Sequence, residues 1–163
     1  NGHWDYFDDD GCSDPDDLIW DYNVYPRTWR QKHFFVMLWA CWQGDVIYDG
    51  TDGNGVKGMP YAWFHGYPGN DDCFIGFKSA SMPLTQTSSH NPSIDYEFFI
   101  QLFYVLALHN GYTVYNALNV NSWQWFGLSY YSSELHGGYT ADWPEGSGPG
   151  WMKIYGNEDI YLY

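Results

Sequence analysis

Apolar residues come in blocks along this chain, and the blocks have two different periods. The first is HFFVMLWACWQGD, residues 33–45, in which Phe34 to Ala40 run without a polar residue and the chain then turns abruptly to Trp42, Gln43, Gly44 and Asp45. An apolar run without alternation, rich in Phe, Val and Trp, predicts a fully buried strand over 33–41. CFIGFKSA at 73–80 predicts a second buried strand. Between them, QGDVIYDGTDGNGVKG (43–58) reads as a long loop and GMPYAWFHG (58–66) as a short helix with Pro60 in its first turn.

The later blocks have helical character. Ser93 or Asp95 can cap a helix running through His109, with Gly111 where a left-handed terminator belongs. That helix is apolar on nearly every face, which predicts deep burial. Thr113 can cap a second helix, VYNALNVNSWQWF, and 130–150 reads as loose. WMKIYG and EDIYLY predict two short closing strands around the turn Gly156-Asn157, whereas 4–32 reads as polar and irregular. There is no internal repeat. Strands alternating with helices predict a single α/β domain over residues 1–163, with a mostly parallel sheet flanked by helices. In such sheets, sites form beyond the carboxyl ends of the strands, and Cys41 stands at that end of its strand.

Charge narrows the partners. The chain has 163 residues, 20 acids, six Lys or Arg, and a formal net charge of −14. Such a balance repels phosphate backbones and argues against nucleic acid. No apolar stretch reaches the length of a membrane span, and no basic-then-apolar leader is visible at the N-terminus. Ten Trp and sixteen Tyr with few Lys suit an extracellular or cell-surface protein. Three cysteines leave two arrangements open: Cys12 paired with Cys73 and Cys41 a free thiol, or all three free.

A thiol becomes a nucleophile when a base takes its proton. Of six histidines, His33 stands at the far end of the same strand and His109 at a helix end; His3, His65, His90 and His136 are open on geometry. A buried structural cysteine is the plain alternative for Cys41, and a frayed terminal residue for His3.

FVMLWACWQG resembles the strand-then-nucleophile motif of the caspase-like cysteine peptidases, a group that includes legumains, gingipains and CHAT-domain proteins. GMPYAWFHG followed by CFIGFKSAS is similar to the helix and next strand of that fold. YEFFIQLFYVLALHNGYTVYNALNVNS resembles its following helices, and MKIYGNEDIYL its closing strand. The resemblance covers nearly the whole chain and lies in the order of the motifs. It implies a peptide or protein substrate, Cys41 as nucleophile and His3 as general base. It also implies an oxyanion site made of backbone N–H groups, with Gly44 and Trp4 as supporting loop positions. No cofactor is required. The strands that precede the histidine in that family are missing here, so the chain reads as the C-terminal portion of such a domain. A homo-oligomer or an N-terminal partner fragment would then complete the sheet.

Two non-catalytic readings stand beside this one. The first is a catalytically silent, self-assembling surface protein on the same fold. The second is a calcium- or glycan-binding module. Asp8, Asp10, Asp14 and Asp16 in DDDGCSDPDD offer hard oxygen ligands for Ca²⁺, against the plain reading of a solvated acidic loop. DGTDGNG at 49–55 does not keep the spacing of an EF-hand loop. Exposed aromatics could stack on sugars, although most of the Trp fall in predicted elements, where core packing is the default.

Overall fold

The computed structural model describes residues 6–8, 18–28, 33–40, 44, 58–66, 68–78, 81–85, 87, 92–93, 95–133, 135–136 and 151–163. Five strands and four helices lie among them: β1 (Tyr6–Asp8), β2 (Leu18–Trp20), α1 (Asp21–Thr28), β3 (Phe35–Met37), α2 (Met59–Phe64), β4 (Cys73–Phe77), α3 (Tyr96–Tyr104), α4 (Val114–Phe126) and β5 (Met152–Gly156). The chain divides into two compact units, one of Asn1–Ser79 with Lys153–Asn157 and one of Ala80–Met152 with Glu158–Tyr163.

In the first unit, β1 and β2 form an antiparallel pair, and a separate sheet has the order β3-β4-β5. β3 and β4 are parallel, with Phe35 opposite Cys73 and Met37 opposite Ile75. β5 runs the other way. Its last residue, Gly156, precedes Asn157, whose N–H donates to the Asp72 carbonyl just before β4 at 2.8 Å. The expectation of an α/β chain with helices about a sheet holds. The mostly parallel sheet does not: three strands share one parallel and one antiparallel junction. Burial follows position in that order. Central β4 is buried at all five residues, whereas β3, bonded on one side among the described residues, buries only Val36, and Phe34 just before it is 51% exposed. A fully buried strand over 33–41 is therefore corrected to a short edge strand.

The N-terminal region expected to be irregular contains β1, β2 and α1. Pro26 lies inside α1, where it removes a donor, and the helix survives because it docks on α2. Val24 packs with Val36, Met59, Ala62 and Phe74, and Tyr25, Tyr61 and Trp63 lean on that cluster. α2 begins after Gly58 with Pro60 in its first turn, as the sequence predicts, and ends at His65 in the left-handed conformation, φ 56°.

The second unit is built on α3 and α4. Asp95, rather than Ser93, caps α3 by accepting the Phe98 N–H at 3.1 Å. The helix continues as a π turn over Val105–His109, with the Asn110 N–H reaching the Val105 carbonyl at 3.1 Å. Tyr96, Phe99 and Phe103 are fully buried, and the Phe99 ring meets Trp125 edge-on at 5.7 Å. Phe98 stacks on Trp125 at 5.7 Å yet stays 47% exposed, and Val105 and Leu108 in the π turn are 48% and 51% exposed. An all-round apolar helix was expected to be buried on every side, but this one leaves part of its apolar surface open.

Thr113 caps α4 as predicted, taking the Asn116 N–H at 3.3 Å. The C-terminal EDIYLY is not a strand, and a lone bridge joins Thr113 to Tyr161. Its carbonyls serve another purpose. Ile160 and Glu158 accept the Val114 and Tyr115 N–H groups at 3.0 and 2.8 Å, so the first turn of α4 has its donors satisfied by backbone from the chain terminus.

Candidate functional site

The carboxyl end of the β3–β4 pair is the rim that the sequence marks out. The Leu38 N–H donates to the Ile75 carbonyl at 2.9 Å, which carries the pairing one residue past β3. The Trp39 ring then packs edge-on to Phe77 at 4.9 Å. Four residues beyond Ala40, the Gly44 N–H donates to the Phe77 carbonyl at 2.8 Å. Leu38 and Gly44 are thereby both tied to the carboxyl end of the parallel pair, as a βαβ unit with α2 in its crossover would have it. Gly44 must be glycine. A Cβ there would stand 2.4 Å from the Gly76 carbonyl oxygen, closer than any side chain tolerates. The Tyr155 hydroxyl of β5 donates to the Gly44 carbonyl at 2.6 Å, so both backbone groups of this glycine are held.

Cys41, with Trp42 and Gln43, lies outside the described residues, as do His3, Trp4, Cys12, Asp10, Asp14 and Asp16; Asp8 is the last residue of β1. Cys73 is fully buried in β4, opposite Phe35. Among the described residues, no group of three or more His, Cys, Asp or Glu could hold a metal ion.

The first unit has two described histidines, His33 and His65. The His65 Nε2 lies 2.9 Å from the Thr28 hydroxyl, and its ring lies against Tyr25 at 4.1 Å between centroids. Thr28 is buried and has one hydroxyl proton. The Ala62 carbonyl, at 2.8 Å, is its nearest acceptor. That proton assignment leaves Thr28 Oγ1 to accept from His65, so Nε2 carries the hydrogen. His33 packs edge-on to Trp63 at 5.1 Å, at the amino-terminal end of β3.

The second unit holds a cluster that the sequence reading missed. The Tyr131 hydroxyl donates to Glu158 Oε2 at 2.8 Å. Its ring lies 5.5 Å from Tyr115 and 4.9 Å, edge-on, from His136. Partial burial, then the hydrogen bond and negative charge of Glu158, then Tyr115 and Asp159, push the Tyr131 phenol up to about 12. The signal available in sequence was slight: Tyr130-Tyr131 in a stretch read as loose, and a Glu-Asp pair read as part of a strand. His136, left open above as a base, belongs to this aromatic group.

No helix among the described residues is long and apolar enough to cross a membrane. No protein-family model matches the chain, and no curated protein and no solved structure matches it.

Proposed function

We propose that this chain is a cysteine endopeptidase-like domain, with Cys41 as nucleophile and His3 as general base. One observation carries the reading: the hydrogen bond from Gly44 to Phe77, which ties the backbone at Gly44 to the carboxyl end of a parallel strand pair. That is where a strand delivers a nucleophile in α/β sheets. The resemblance to the caspase-like peptidases makes His3 the base, and His65, one of the other histidines, is hydrogen-bonded to Thr28. In the reaction, His3 takes the Cys41 proton and the thiolate adds to a peptide carbonyl. Backbone N–H groups hold the resulting oxyanion. The C–N bond then breaks as His3 returns the proton to the leaving amine, and water hydrolyses the thioester.

Cys73 supplies an internal control, because it is fully buried in β4. In the native protein at neutral pH, iodoacetamide is expected to label Cys41 rapidly and Cys73 only after unfolding. Cys41→Ala is expected to abolish cleavage of a peptide library. Labelling of Cys41 no faster than that of Cys73, or cleavage that survives the substitution, would overturn the proposal.

A further inference from the structure

The second unit holds a group of phenols that a peptidase reaction at Cys41 does not use. The Tyr131 hydroxyl donates to Glu158 Oε2 at 2.8 Å, and its ring lies 5.5 Å from that of Tyr115 with the two planes 32° apart. Tyr131 is 48% exposed. Tyr115 stands in the first turn of α4 and Tyr131 in the short turn that follows the helix, so the fold brings together two phenols that are distant in sequence.

Donation to a carboxylate sets Tyr131 apart from Tyr130 and Tyr155, which give their protons to the backbone carbonyls of Met152 and Gly44. An amide carbonyl is too weak a base to keep a proton. When a phenol loses an electron its O–H becomes strongly acidic, and the electron leaves easily only where a base takes the proton in the same event. Glu158 is in place to do so. Its negative charge also disfavours the phenolate, so the neutral phenol is the species that is oxidised.

We propose that Tyr115 and Tyr131 are a site of oxidative modification, at which a peroxide-driven one-electron oxidant joins their rings by a carbon–carbon bond. Each phenol gives up one electron and its hydroxyl proton, that of Tyr131 passing to Glu158 and then to water. The two phenoxyl radicals couple through ring carbons ortho to oxygen, and the ortho hydrogens move to the oxygens and restore both phenols. Over the whole step the pair loses two electrons and two protons, which reduce one hydrogen peroxide to two waters. The rings are already in contact, so coupling within a chain outruns collision between chains. The bond staples the first turn of α4 to the turn after it. The site lies wholly within the second unit and makes no use of Cys41.

The test is treatment of the full chain, dilute and with its accessible thiols capped by iodoacetamide, with a haem peroxidase and limiting hydrogen peroxide. Protease fragments of the product are then mapped by mass. The expected main product is a monomer with dityrosine fluorescence, in which the fragments bearing Tyr115 and Tyr131 are joined and together lighter by two hydrogens. Tyr115→Phe and Tyr131→Phe should each abolish it. Glu158→Gln keeps a hydrogen-bond acceptor but not a base, and should slow its formation about tenfold or more. Tyr161 and Tyr163 are the internal comparison. Their rings also stand 5.5 Å apart and they are 51% and 77% exposed, so exposure alone would put the bond there. A main product at Tyr161 and Tyr163, links only between chains, no link at all, or a rate unchanged in Glu158→Gln would overturn the inference.

Discussion

The hydroxyl of Tyr155 donates to the carbonyl of Gly44 at 2.6 Å, a bond between residues 111 positions apart. It ties the last strand of the sheet to Gly44, which follows the first. The Gly44 N–H is held by Phe77 at the same time, so this glycine is held from two strands, and a small change at either residue should reach it.

Gly44→Ala is therefore expected to destabilise the protein by about 1–3 kcal/mol, because the added methyl must displace backbone at Gly76 rather than a flexible side chain. Tyr155→Phe, which removes one hydrogen bond and keeps the ring, should cost about 1 kcal/mol. Urea unfolding of the two variants and the parent measures both. A Gly44→Ala protein as stable as the parent would mean that the close approach to Gly76 is not kept in solution.

Thr28 offers a second check, in which the chemistry of one proton decides the outcome. Thr28→Val leaves the Ala62 carbonyl and the His65 ring without their shared partner and should cost about 1–3 kcal/mol. Thr28→Ser should retain most of that stability. Long-range proton–nitrogen NMR of the parent should find the hydrogen of neutral His65 on Nε2. Finding it on Nδ1 would reverse the assignment.

Tyr131 gives a dependence on pH. Its folded pKa of about 12 stands above the ordinary 10.0, so the folded state holds this proton more tightly than the unfolded chain does. Its contribution to stability is complete below pH 10 and is lost as pH rises through about 12. Titration of tyrosinate absorbance should find Tyr131 among the late phenols, with Tyr104, which burial also pushes up. Glu158→Gln, which removes the negative charge beside the Tyr131 hydroxyl, should move the Tyr131 phenol down toward 10.0. No shift in the variant would leave burial as the whole cause.

Elements with local punctuation were legible in the sequence. Asp95 and Thr113 announce α3 and α4 because their side chains answer backbone donors three residues on, and Pro60 marks the start of α2 for a similarly local reason. Elements made by distant partners were not legible. α1 contains Pro26 and has a helix's shape only because Val24 and Thr28 find α2. EDIYLY has a strand's composition, but its carbonyls are taken by the first turn of α4. At the candidate site, the run ending at Ala40 and the need for Gly44 could be read from apolar pattern and turn chemistry. The Tyr155 bond could not, since nothing near Gly44 in sequence points to residue 155. The Tyr131–Glu158 pair was hidden for the same reason.

The division of the chain has a bearing on synthesis at the ribosome. Residues Lys153–Asn157 belong with Asn1–Ser79, while Ala80–Met152 form the other unit. A nascent chain that has released β3, α2 and β4 still lacks the strand that borders β4 and the phenol that holds Gly44. The helical hairpin of α3 and α4, whose contacts are close in sequence, can form while the first unit waits. The sheet, begun first, is finished last, and until then the open flank of β4 is the place where a newly made chain is most exposed to wrong pairing.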